Sequence, residues 1–213
     1  MPVIVFDLDG TLVDSVGDIA AALNAALRET GARAQSVDVV RGFVGHGARR
    51  LVQSALAAAG VDPACTDDVL ARFQAHYAQN LVGETRAYDG VPAMLASLRA
   101  STPAVALGIA TNKPGAFARP LVEALFPGVF AAVLGPDDVG TLKPDPAVVH
   151  AIARAAGGDV VAFVGDSGVD METARNAGVR AVGVAWGLRP EELSGADAVA
   201  RTPADLVPLL LRF

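Results

Sequence analysis

Five short apolar runs, separated by helical patterns, constrain this chain more than any other feature. They occupy residues 3–6, 105–110, 130–134, 160–164 and 181–185, and each is followed within two residues by a polar residue or a glycine. Runs of that length, apolar at every position, suit strands buried on both faces. Helical patterns at 91–100, 115–126, 146–157 and 168–177 lie between them. Strand and helix in alternation imply a parallel sheet covered on both sides, with right-handed crossovers. The stretch from 15 to 83 breaks the rhythm. It is rich in Ala and Leu, helical in period and without a convincing strand: Ile19, Leu23, Ala26 and Leu27 share one face, and Leu51, Val52, Ala55, Leu56 and Ala59 another. The expected fold class is therefore α/β. A sheet domain of 1–14 and 84–213 is interrupted after its first strand by a helical domain of 15–83, and resumes near 86–90.

Composition supports this and narrows the partners. Of 213 residues, 52% are hydrophobic and 19% charged, which allows a sizeable core and leaves no tract that reads as disordered. The net charge of −6 argues against nucleic acid as a partner, because such binding needs a basic face to displace counterions. A single cysteine, Cys65, permits no intrachain disulfide and reads as a small packing residue in a reducing compartment. The apolar start, 2–6, is too short for a signal segment and lacks a basic flank, and no apolar run is long enough to span a bilayer. The expectation is a soluble, cytoplasmic protein without a membrane partner. The oligomeric state is not legible.

Polar chemistry gathers where the strands end, which is where ligands bind in open α/β sheets. The first strand runs into "VFDLDGTLVDS". Asp7 and Asp9 flank Leu8, so in extended chain both carboxylates point the same way and repel unless a cation or proton intervenes. Alone, this could be a solvated acidic turn or a calcium loop, though an EF-hand fails because its glycine position falls on Leu12. The second strand ends in "LGIATNKP". Thr111 and Asn112 suit phosphate oxygens, but Thr-Asn is also a common helix cap. In "GTLKPDP", Pro144 keeps Lys143 in extended chain, as a phosphate-binding cation or as a plain surface lysine. In "VGDSGVD", Asp166 ends a strand and Asp170 follows four residues on. Like charges at that spacing are unfavourable without a metal, and hard oxygen ligands around a phosphate point to Mg²⁺. Together the four segments supply a nucleophile, an acid/base, a phosphate cradle and a metal seat: a site for phosphoryl transfer.

With "DLDGT", "ATN", "LKP" and "GDSGVD" in that order, the chain resembles the haloacid dehalogenase superfamily along its whole length. "FDLDGTLVDS", "VGHGARRLVQSAL", "TNKPGAFARPLVEAL" and "GPDDVGTLKPDP" read like its phosphoglycolate phosphatase family. The resemblance implies a Rossmann-like core with an inserted helical cap. It implies Asp7 as nucleophile and Asp9 as acid/base. It implies Mg²⁺ held by Asp7, the Asp9 backbone carbonyl and Asp166, with Asp170 as a ligand or one step removed. Thr111 and Lys143 would bind the phosphoryl group, with Asn112 close by. The dehalogenases and phosphonate-cleaving members lack an aspartate where Asp9 stands, so Asp9 favours ester chemistry. A pyrophosphatase, a nucleotidase and a sugar phosphomutase stay open, as does a phosphate-binding module without turnover.

The segment "GHGARR" falls short of a dinucleotide fingerprint, since position 50 is arginine and no strand precedes it. Gly45 and Gly47 would instead expose amides at a helix start, and Arg49 lies at the edge of that helix's apolar stripe while Arg50 faces away. Gly45 and Arg49 are accordingly the expected selectors of a small phosphorylated substrate with a second negative group, 2-phosphoglycolate leading. His46, His76 and His150 have no metal-ligand spacing. Trp186 reads as packing, and Arg33, Arg41 and Arg72 as solvated surface.

Overall fold

The computed structural model describes residues 1–101 and 105–211. Six strands form one parallel sheet: β1 (Pro2–Phe6), β4 (Ala106–Ala110), β5 (Ala132–Leu134), β6 (Asp159–Gly165), β7 (Arg180–Val184) and β8 (Ala198–Ala200). Their order is β5-β4-β1-β6-β7-β8. From β1 the chain builds outward first on one side, through β4 and β5, and then on the other, through β6 to β8. The switch falls at β1, so the crevice beyond its carboxyl end is bounded by the ends of β4 and β6.

The apolar runs are continuous because both faces are covered. Ile4 and Phe6 point to a cluster with α5 (Val91–Ser101), α6 (Gly115–Leu125) and α10 (Pro203–Leu210), among them Met94, Leu95, Leu121 and Leu206. Val3 and Val5 point the other way, to α8 (Ala147–Ala156) and α9 (Gly168–Ala177), where Val149, Ile152 and Met171 meet them. Each fully buried side chain of this kind is worth about 1.5–3 kcal/mol against leaving it exposed.

Two differences from expectation have local causes. The run at 130–134 begins its ladder only at Ala132, because Phe130 turns to pack edge-on against Phe6 and Phe126. The edge strand β8 was not foreseen; its three residues, with Val199 exposed between half-buried Ala198 and buried Ala200, are too few to carry a readable period.

Residues 16–79 form four helices, α1 (Val16–Glu29), α2 (Val37–Arg41), α3 (Ala48–Ala59) and α4 (Thr66–Gln79). They enclose a separate cluster in which Ile19, Leu23, Ala26 and Leu27 of α1 meet Leu51, Val52, Ala55 and Leu56 of α3 and Phe73 and Tyr77 of α4. The two chain passages joining this unit to the sheet pair as a two-stranded antiparallel ribbon, β2 (Val13–Asp14) with β3 (Arg86–Ala87). Asp18 fastens the ribbon from α1. Its carboxylate accepts the Glu84 amide at 2.9 and 3.0 Å, the Thr85 amide at 2.8 Å and the Thr85 hydroxyl at 2.7 Å. Burial alone would raise its pKa; these donors outweigh that and hold it below the usual carboxylate range. A short helix, α7 (Pro136–Val139), follows β5. Among the described residues no helix is long and apolar enough to cross a membrane.

Candidate active site

Asp7 follows β1 directly, and its amide extends the ladder by donating to the Val164 carbonyl at 2.8 Å. It is buried, and Lys143 reaches it from the loop between α7 and α8: Nζ lies 2.7 Å from Asp7 Oδ1 and 2.7 Å from Asp170 Oδ1. Asp170 stands in the first turn of α9. Its Oδ2 accepts the Ser167 amide at 3.1 Å and the Ser167 hydroxyl at 2.6 Å, a reciprocal cap that fixes the carboxylate. Asp166, at the end of β6, accepts the Thr11 hydroxyl at 3.2 Å and the Leu188 amide at 2.7 Å. Gly10 lets the chain pass this group: its φ is +92°, and a Cβ there would sit 2.3 Å from Asp166 Oδ2.

Asp7, Asp166 and Asp170 each bring a carboxylate oxygen within 4.8 Å of the others. Three buried acids share one lysine. Burial is the largest cause of the shift at Asp7, partly offset by Lys143 and reinforced by the neighbouring acids, and its pKa is pushed up to about 8. Asp166 is pushed up to about 7, by burial first and Asp170 next. A cluster of hard oxygen donors this short of positive charge fits a small divalent cation.

Asp9 does not share that cluster. Its Oδ1 turns to Lys113 Nζ at 2.7 Å and to the Ser15 hydroxyl, and its Oδ2 accepts no donor among the described residues. The repulsion expected between Asp7 and Asp9 is thus relieved by two separate lysines rather than by one shared cation. Lys113 also donates to the Tyr77 hydroxyl at 2.7 Å, so a core lysine ties Asp9 to α4 of the helical unit. Neither Lys113 nor Tyr77 was foreseen. Lys113 was readable as the cation that follows Thr-Asn in "TNKP"; nothing local marks Tyr77.

Thr111 and Asn112 follow β4. The Thr111 hydroxyl accepts the Lys113 amide at 3.1 Å and faces the cavity described below. Asn112 uses its side chain on backbone: Oδ1 accepts the Lys143 amide at 2.8 Å, and Nδ2 donates to the Lys143 carbonyl at 3.3 Å and the Gly45 carbonyl at 3.0 Å. It holds the lysine loop and the 42–47 loop, and its amide is not free for a phosphate oxygen as expected.

A cavity of about 60 Å³ lies between the sheet and the helices. Asp7, Asp9, Thr111 and Lys113 form its polar side; Ile19, Val44, Leu51 and Phe73 form much of the apolar side, with Gly45 and Gly47 at the edge. Arg49 is not part of it. Where a substrate contact was expected, the structure places Arg49 57% exposed and paired with Asp67 at the start of α4. The arginine that does reach the 42–47 loop is Arg189, whose Nη2 donates to the Gly42 carbonyl at 2.7 Å and the Val44 carbonyl at 3.0 Å.

A parallel sheet switching at β1, with acids and lysines converging beyond its carboxyl end, gives an α/β protein with an aspartate-centred site. The family model for haloacid dehalogenase-like hydrolases matches residues 4–184, and the chain belongs to that family. It is 42% identical over 184 residues to the phosphoglycolate phosphatase of Cereibacter sphaeroides (strain ATCC 17029 / ATH 2.4.9), covering 84% of this chain and 83% of that one. To the phosphoglycolate phosphatase of Pseudomonas putida (strain KT2440) it is 38% identical over 214 residues, covering 97% and 78%. The crystal structure of a predicted phosphoglycolate phosphatase from Haemophilus somnus 129PT superposes with a TM-score of 0.87 at 29% identity, covering 98% of this chain and 97% of that one. The enzyme class of the chain is phosphoric monoester hydrolase.

Proposed function

We propose that the chain is a Mg²⁺-dependent phosphatase that works through a phospho-aspartate on Asp7, with 2-phosphoglycolate as its leading substrate. The observation that carries this reading is the division of labour among the acids. Asp7 sits with Asp166 and Asp170 around Lys143, whereas Asp9, two residues on, is held apart by Lys113 and keeps one oxygen without a donor among the described residues.

Asp7, the Asp9 backbone carbonyl and Asp166, with Asp170 at the ion or one step from it, would hold Mg²⁺, which when bound offsets the repulsion between the Asp7 carboxylate and a phosphate dianion. Asp7 Oδ2, which has no protein donor among the described residues, attacks phosphorus in line. Lys143, Thr111 and backbone amides stabilise the equatorial oxygens as charge spreads. Asp9 protonates the departing alkoxide through its free oxygen, then takes a proton from the water that cleaves the acyl phosphate. Residues 15–83 act as a cap over the substrate, and the β2–β3 ribbon is where it moves against the core of 1–14 and 84–213. The apolar cavity excludes stray water and favours short substrates.

A panel of phosphate esters assayed for phosphate release with Mg²⁺ and after EDTA treatment tests this. The expected result is Mg²⁺-dependent hydrolysis with the highest kcat/KM on 2-phosphoglycolate. Higher kcat/KM on a nucleotide, pyrophosphate or a hexose phosphate would replace the substrate, mutase activity on a hexose phosphate would replace the reaction, and full activity without metal would remove Mg²⁺.

A further inference from the structure

We propose that the Lys113 ammonium and the Tyr77 hydroxyl together form the receptor for a carboxylate on the leaving-group side of the substrate. This rests on the phosphatase reading above and deepens it by naming what selects the substrate.

The argument begins with donors that have no acceptor. A lysine ammonium carries three N–H groups. Lys113 gives one to Asp9 and one to Tyr77, each at 2.7 Å, and the third meets no acceptor among the described residues. The Tyr77 hydroxyl accepts from Lys113, so its own proton is free to donate, and it too has no acceptor among the described residues. Both groups are buried, the Lys113 side chain 5% exposed and Tyr77 1%, and both face the cavity beside Asp7 and Asp9. A buried donor without a partner is costly. Two of them side by side match the two oxygens of a carboxylate.

Direction along the substrate follows from the acids. The phosphoryl group must lie at Asp7 and the ester oxygen at Asp9, so the atoms beyond that oxygen run toward whatever borders Asp9. That neighbour is Lys113. The nearby cations are committed elsewhere: Lys143 to Asp7 and Asp170, Arg49 to Asp67, Arg72 to Asp68 and Glu29, and Arg189 to cap carbonyls and Glu192. Lys113 is the cation lining the cavity. It is also pre-organised, its amide held by the Thr111 hydroxyl and its ammonium packed over the Tyr77 ring at 4.9 Å, so little ordering is left to do on binding. Since Tyr77 belongs to the cap and Lys113 to the core, the receptor is complete only with the cap in place.

The test compares two esters of similar length, 2-phosphoglycolate and 2-hydroxyethyl phosphate, which differ in the carboxylate. The readout is the ratio of their kcat/KM values. Wild type should favour 2-phosphoglycolate. A charged hydrogen bond is worth about 1.5–3 kcal/mol, so Lys113→Met should lower the ratio about 10- to 150-fold, and Tyr77→Phe, which loses a neutral one, about 2- to 12-fold. Equal losses on both esters in both variants would show that Lys113 acts only through Asp9 and would overturn the proposal. If Lys113→Met gives no folded or measurable enzyme, Tyr77→Phe decides alone, and an unchanged ratio overturns it. Wild type that hydrolyses both esters equally overturns the receptor and leaves the phosphatase reading standing. Wild type that releases no phosphate from any ester overturns both.

Discussion

Two lysines partition the acids of the site, and that partition sets what single substitutions do. Asp7→Asn replaces the proposed nucleophile with a poor one and removes one of three crowded carboxylates. Turnover should fall well below a tenth of wild type, a barrier increase of more than about 1.4 kcal/mol, with an unchanged circular dichroism spectrum; a rate above a tenth would place the nucleophile elsewhere. Arg49→Ala should leave kcat/KM for 2-phosphoglycolate within about twofold, since an exposed pair such as that with Asp67 contributes under about 1 kcal/mol and lies off the cavity; a tenfold loss in steady-state assays would return Arg49 to the site. Asp7, Asp166 and Asp170 were legible because each follows a strand whose place in a parallel sheet follows from its neighbours, and Lys143 because Pro144 holds it in extended chain. The Asp67 partner of Arg49 was not legible because a helical wheel gives the direction of a side chain but not which neighbour waits there, and Asp67, eighteen residues on, had to be placed first. Tyr77 was hidden for the same reason: its link to Lys113 crosses from the helical unit to the core.

Among the elements, the long strands and helices were legible and the joints were not. The buried strands declare themselves through unbroken apolar runs, and α1 and α3 through their periodic faces. The β2–β3 ribbon is two residues on each side, too short for any period, and shows itself only through pairing across the whole helical insertion. Asp18 is the residue on which this joint depends. Asp18→Ala would leave the Thr85 hydroxyl and the Glu84 and Thr85 amides without their acceptor, and should destabilise the protein by about 2–3 kcal/mol in urea unfolding. A change below about 0.5 kcal/mol would mean that water replaces the carboxylate at no cost.

At the scale of the molecule, the charge deficit of the site links metal, proton and stability. Asp7 and Asp166 are raised from an ordinary 3.8 to about 8 and about 7. Between about pH 4 and 8 the unfolded chain has released protons that the metal-free fold retains, so these two groups destabilise the fold progressively as pH rises through that window. On the proposed reading Mg²⁺ would take the place of those protons, and its stabilising effect should grow with pH. In thermal unfolding, the Tm gain from a fixed Mg²⁺ concentration should be larger at about pH 8 than at about pH 5.5. A gain that is independent of pH would show that the ion does not bind these carboxylates.

The central claim is a covalent phosphoryl group on Asp7, and trapping it is the most direct test. The enzyme is quenched with acid during turnover of 2-phosphoglycolate with Mg²⁺, the acyl phosphate is reduced with borohydride, and the peptides are read by mass spectrometry. Reduction converts a phosphorylated aspartate to homoserine. The account predicts homoserine at position 7 in samples that contain Mg²⁺ and substrate, and none when either is withheld. Homoserine at position 9, 166 or 170, or an unmodified position 7 in enzyme quenched while it is releasing phosphate, would contradict it.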